Sequence, residues 1–113
     1  MVANFEGFIL KRRGFTTDMT PPDSSPALEA LVGQLVVLDL SSSYVCLGTL
    51  VAVDPLFFAV DDADLHDFRD SAATREVYVY DSARLGIRRN RARVLIRRDQ
   101  VVAVTRFADV AES

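Results

Sequence analysis

The chain has 113 residues, 50% of them hydrophobic, a formal net charge of −3 and one cysteine, Cys46. That length suits one globular domain, and the lone cysteine excludes an intrachain disulfide or a thiolate metal cluster. No apolar run reaches the roughly 18 residues that cross a bilayer, and Glu6, Lys11, Arg12 and Arg13 interrupt any N-terminal secretory segment, so a soluble cytoplasmic protein without membrane association is expected.

Residues 1–24 are predicted to be an extension, residues 25–108 a domain, and residues 109–113 a tail. In the extension, Phe5, Phe8, Ile9, Leu10 and Phe15 surround the basic Lys11-Arg12-Arg13, and the polar stretch through Pro21-Pro22 reads as a linker. The aromatic part is expected to clip onto the body, a neighbouring subunit or a protein partner. Ser25-Pro26 then offers an N-cap and a proline at the first helical position, with Glu29 in the first turn where it suits the helix dipole. Leu28, Leu31 and Val32 share one face of this short helix, which Gly33 ends.

The pattern changes to β at residue 34. Residues 35–40 read as a first strand, Ser41-Ser42-Ser43 as a turn, and residues 44–53 as a second strand interrupted by Gly48, where a bend or close backbone approach is expected. Asp54-Pro55 turns the chain into a third strand over 56–61. Residues 62–74 are polar and acidic and are predicted to leave the sheet for a loop or short helical turn. Glu76-Val77-Tyr78-Val79-Tyr80-Asp81 alternates as another short strand would. In residues 89–97, Asn90, Ala92, Val94 and Ile96 share one face and Arg89, Arg91 and Arg93 the other. Arg98-Asp99-Gln100 is a tight turn before a final strand over 101–107.

Charge is strongly segregated. Asp54, Asp61, Asp62, Asp64, Asp67, Asp70, Glu76 and Asp81 face only Arg69 and Arg75, whereas Arg84, Arg88, Arg89, Arg91, Arg93, Arg97 and Arg98 follow without an acid between them. Either the two segments neutralise each other across neighbouring strands, which is the favoured reading, or the arginines make a site for a polyanion. Asp61, Asp62, Asp64 and Asp67 with His66 also invite a metal or acid-base reading. One histidine among aspartates that alternate between faces fits a solvated acidic loop better. No phosphate loop, nucleophile elbow or Cys/His dyad is present, so no catalytic activity, cofactor or metal is expected.

A short helix, then five strands with a glycine-bent second strand and a three-residue turn before the last, resembles the Sm and LSm domain family, over roughly residues 26–107. Gly48, Leu50 and Asp54 match the family's first motif, although Leu56 stands at its usual aromatic position and Phe58 where asparagine is expected. Leu95-Ile96-Arg97 and Val101 match the second, with Arg98 replacing its glycine and Asp99-Gln100 filling the polar pair. The acidic continuation from Asp61 to Arg69 is similar to the end of the third strand in eukaryotic members.

The resemblance implies a mainly β fold, a five-stranded, strongly bent small barrel, assembled head to tail into a homo-oligomeric ring by pairing of the last two strands. Val94, Ile96, Val101, Val102 and Val104 are the expected subunit contacts. It further implies single-stranded RNA as a ligand, with Arg97, Arg98, Asp99, Leu56, Phe58, Arg89, Arg91 and Arg93 as candidate contacts. Leu56 offers no π face and Phe58 no hydrogen bond, which argues against uridine selection by the family's mechanism. For Arg97 the other reading is a salt bridge to Asp54 or Asp99. The alternative function is an oligomeric protein-interaction scaffold of the same fold that does not bind RNA.

Overall fold

The computed structural model describes residues 25–70 and 73–111; the extension, with its expected clip and linker, lies outside them. The elements are α1 (Pro26–Glu29), β1 (Leu35–Leu40), β2 (Tyr44–Val53), β3 (Phe57–Asp67), α2 (Arg75–Leu85), β4 (Arg91–Arg97) and β5 (Val101–Arg106). The strands form one antiparallel sheet in the order β4-β3-β2-β1-β5. β4 and β5 are therefore its two outer edges.

Bulges bend this sheet around its own core. Leu47 pairs with Asp64 and Thr49 with Asp61, so Gly48 faces two residues of β3, and Asp62 takes up the extra length at φ 51°. A Cβ on Gly48 would stand 2.7 Å from Val60 Cγ1 and 2.8 Å from the Asp61 carbonyl oxygen, so the two backbones can approach only at glycine. A second bulge at Val51 and a third at Val102 complete the curvature.

The inner face buries Val36, Leu38, Cys46, Leu50, Val60 and Ile96 among others, with Leu28 and Leu31 packed against them. Ser25 caps α1, its hydroxyl accepting from the Leu28 amide at 3.3 Å. The helix ends earlier than its sequence suggests. Gly33 and Leu50 tie the following turn to β2 through Gly33 N to Leu50 O (2.6 Å) and Leu50 N to Gln34 O (3.0 Å), and Val32 stays exposed.

β1 and β2 carry continuous apolar runs because they are buried on both faces. On the second face Val37, Val45 and Leu47 are covered by Val79, with Tyr78, Phe68 and Val110 packed around them. Val79 belongs to α2, which corrects the strand expected over 76–81. Thr74 caps this helix by accepting from the Val77 amide at 3.2 Å, Gly86 ends it at φ 104°, and Tyr78, Val79 and Ser82 line its inward face. Fully burying one Val or Leu is worth about 1.5–3 kcal/mol, so covering three of them on the second face outweighs the local β preference of Val-Tyr-Val-Tyr. The acidic segment leaves the sheet later than expected: β3 continues to Asp67, and the short helical turn follows at Phe68–Asp70.

The bulge at Val102 also changes the last strand. Val101 and Val104 both pack against the inner core, while Val102 is 66% exposed. Val94 and Ile96 of β4 face the same core. Of the five valine and isoleucine positions expected at a subunit contact, only Val102 presents its side chain outward; what β4 and β5 share, among the described residues, is an open backbone edge.

Replacing Gly48 with alanine is expected to cost about 1–3 kcal/mol, the range for an overpacked core. Urea denaturation checks this, and a midpoint equal to that of the parent chain would show that the backbones are not held this close.

Candidate functional site

The β2–β3 turn is shaped by Asp54, whose Oδ1 accepts from the Leu56 amide (2.8 Å) and the Phe57 amide (2.7 Å). Leu56 is left 69% exposed at its tip. Between β4 and β5 the chain makes a single 3₁₀ turn, Arg98–Gln100. Its Arg98 amide donates to Leu56 O and its guanidinium Nη1 to Asp54 O, both at 2.8 Å, so the two turns form one surface. A depression of about 210 Å³ there is lined by Pro55, Leu56, Phe57, Arg97 and Asp99.

The structure thus brings Leu56, Arg97 and Asp99 together. Arg97 donates through Nη2 to Asp99 Oδ2 at 2.7 Å, and both side chains remain largely in solvent. Phe58 does not join them. It is 2% exposed in the inner core, with the Arg98 guanidinium 5.8 Å from its ring centre, so its position in the motif serves packing and the candidate contact to RNA is withdrawn.

The arginines of β4 meet acids across the sheet. Arg93 lies opposite Asp61 and grips its carboxylate with two nitrogens, one of them at 2.9 Å, which holds Asp61 below the usual carboxylate range and raises Arg93. Arg89 pairs with Asp62 at the bulge. Arg91 bonds only the Asn90 carbonyl oxygen (3.1 Å) and has no carboxylate partner among the described residues. Cross-strand neutralisation, the favoured reading of the segregated charge, is therefore present at two pairs, with Arg91 left over. Tyr78 and Tyr80 stand apart from this strand, Tyr78 stacked on His66 at 3.9 Å and Tyr80 below Arg84.

The remaining acids are separately engaged. Arg69 binds Asp67 at 2.6 Å, and its side-chain and backbone hydrogen bonds hold that carboxyl far below the ordinary range. Asp64 is 4% exposed, receives Asn90 Nδ2 at 3.2 Å, and is raised because burial penalises its charge. His66 sits between Tyr78 and Phe68 with Nε2 buried and unbonded among the described residues. No group of three or more histidine, cysteine, aspartate or glutamate side chains able to hold a metal occurs among the described residues. Burial, with Asp64 adding to it, pushes the Cys46 thiol up to about 12, which makes it a packing group with little nucleophilic character. No helix among the described residues is long and apolar enough to cross a membrane.

No protein-family model matches the sequence, and no curated protein matches it. Solved structures do. An Sm protein of Pyrococcus abyssii in complex with a uridine heptamer superposes with a TM-score of 0.51 at 16% identity, covering 74% of this chain and 99% of that one. An Sm-like protein of Archaeoglobus fulgidus gives a TM-score of 0.50 at 14% identity, covering 80% and 99%. The fold is Sm-like: mainly β, with five antiparallel strands in a bent sheet preceded by a short helix.

Asp64→Asn keeps an acceptor for Asn90 and removes a charge that is costly when buried. Because the folded-state pKa of Asp64 lies above its unfolded value, its ionisation weakens folding above that value and has no effect at pH 3, where both states are largely protonated. The variant should therefore raise the melting temperature at pH 7 more than at pH 3. An equal change at both, or a loss at pH 7, would mean that the carboxylate is stabilised where it stands.

Proposed function

We propose that this chain is a non-enzymatic ring-forming subunit that binds single-stranded RNA on the joined turns of Leu56, Arg97 and Asp99, with the arginines of β4 as a flanking cationic strip. The observation that carries the ring is the sheet order, which leaves β4 and β5 as its two outer edges. An open strand edge pairs readily with another chain, and a head-to-tail contact repeated to closure removes every edge at once. Leu95 on one edge strand (56% exposed) and Val102 on the other (66% exposed) add apolar surface that such pairing covers.

RNA is supported by the exposed Arg97 guanidinium beside the depression at Leu56, and by the uridine heptamer in the Pyrococcus abyssii structure. Guanidinium stacking and phosphate contact are tolerant of sequence, and no amide stands where a base edge would be read. Weak discrimination among bases follows. A second reading, a ring that recruits protein and leaves RNA alone, is favoured by one observation: Arg89, Arg93 and Arg97 each already hold an aspartate.

Light scattering at micromolar concentration should give a mass several times that of one chain; a monomer would remove the ring. Titration with single-stranded RNA at low and moderate salt, repeated with Arg97→Ala and with Arg89, Arg91 and Arg93 all changed to alanine, separates the two readings. Affinity should fall in both variants. The triple change should also flatten the salt dependence by about 0.7 in log-log slope for each phosphate that is no longer neutralised. Absent binding, or binding indifferent to all four changes, would leave the protein scaffold.

A further inference from the structure

The second face of the sheet holds a groove of about 510 Å³ between α2 and β5. Its apolar lining is Val37 of β1, Val79 of α2, Val102 and Ala103 of β5, and Val110 of the C-terminal segment. Asp39, Arg75, Glu76 and Asp109 supply its charged parts. Asp39 is paired with Arg75 and Asp109 with Arg106, whereas Glu76 is exposed and has no ion-pair partner among the described residues. Such a surface suits an apolar chain accompanied by positive charge.

A second hollow, of about 420 Å³, lies on the other side of β5. Ala27, Leu28 and Leu31 of α1 line it, and so do Val102 and Ala103, which also line the groove. The two hollows therefore meet across β5 at its bulge. The chain enters α1 at Ser25, so whatever precedes Ser25 starts at the rim of the second hollow, one strand away from the groove. Side-chain layers on the two faces of a sheet lie about 10 Å apart. The linker of residues 16–24 spans up to about 30 Å when extended, which brings Phe15 and the residues before it within reach of the groove.

We infer that the groove between α2 and β5 receives the N-terminal segment of the same chain, with Phe8, Ile9 and Leu10 over its apolar lining and Lys11, Arg12 and Arg13 among the carboxylates at its rim. The segment holds both halves of the match, since Phe5, Phe8, Ile9, Leu10 and Phe15 surround the basic triplet. Left in water, these side chains make an apolar patch of the kind that soluble proteins cover. Val102, 66% exposed at the crossing, is covered by the same path. A tethered occupant also has an advantage over a separate one, because a short linker holds it at an effective concentration on the order of millimolar. The crossing falls at the bulge, so the edge of β5 from Val104 to Arg106 stays open and the seat does not depend on the ring.

Photocrosslinking of the full chain tests this. Phe8, or Phe5 in a second variant, is replaced by p-benzoylphenylalanine, which keeps an aromatic ring and joins to neighbouring C–H groups on irradiation. Mass spectrometry maps the linked peptides, and the mass of the denatured product tells links within one chain from links between two. Links within one chain to α2 or to residues 102–111 are expected. Their yield should fall about fivefold when Lys11, Arg12 and Arg13 are all changed to glutamate, with circular dichroism confirming that the domain stays folded.

Links to the groove that join two chains would overturn the intrachain seat and assign the groove to the segment of a second copy. Links centred on another surface, or none from either position, would overturn the groove as the seat. A yield indifferent to the charge reversal would overturn the charge match. Irradiating a dilute sample beside a concentrated one separates this result from the ring reading, because the intrachain links are expected at both concentrations.

Discussion

The close passage of β2 over β3 at Gly48 is the constraint on which the rest of the molecule depends. Five strands enclose a core by themselves only when the sheet bends sharply, and at this point there is room for a hydrogen atom where other residues carry a Cβ. The cost of the bend is taken by Asp62, which accepts a left-handed backbone conformation more readily than a branched residue would. That bulge sets the local register of β3, so that Asp61 meets Arg93 across the strands while Asp64 and Ala63 are buried. Curvature and charge pairing thus share one origin.

Bending has a second consequence at the ends of the sheet. The strands curve around the inner core, yet among the described residues β4 and β5 do not pair with each other and both keep an unpaired backbone edge. The inward turn of Val94, Ile96, Val101 and Val104 makes these edge strands part of the core. An open edge on a packed strand is a template for another strand. The helix between β3 and β4 covers the second face of the middle strands but stops short of β5, and the groove lies in that gap.

Much of the architecture was legible in the residues. Branched apolar runs placed β1, β2 and β5, Ser25-Pro26 placed the start of α1, and Gly48 announced the close approach. Each of the two turns was legible, through the spacing from Gly48 to Asp54 and through Ile96-Arg97, because hydrogen bonding by Asp54 and the tight turn after Arg97 are local effects. Three features were not. The alternation Val77-Tyr78-Val79-Tyr80 has the period of a strand, and the small polar Ser82 obscures the inward stripe of α2. Phe58 stands where a polar contact was expected and is instead part of the core, and the α2–β5 groove arises from elements whose meeting no local pattern encodes.

The central claim is that β4 and β5 are joined edge to edge between copies of this chain. Residue-resolved amide hydrogen exchange on the assembled protein and on a diluted sample tests it most directly. Pairing predicts that the outward amides of both strands are protected nearly as well as those of β2 when concentrated, and that both lose protection together on dilution. Edge amides that exchange as fast as the turns at every concentration would contradict it.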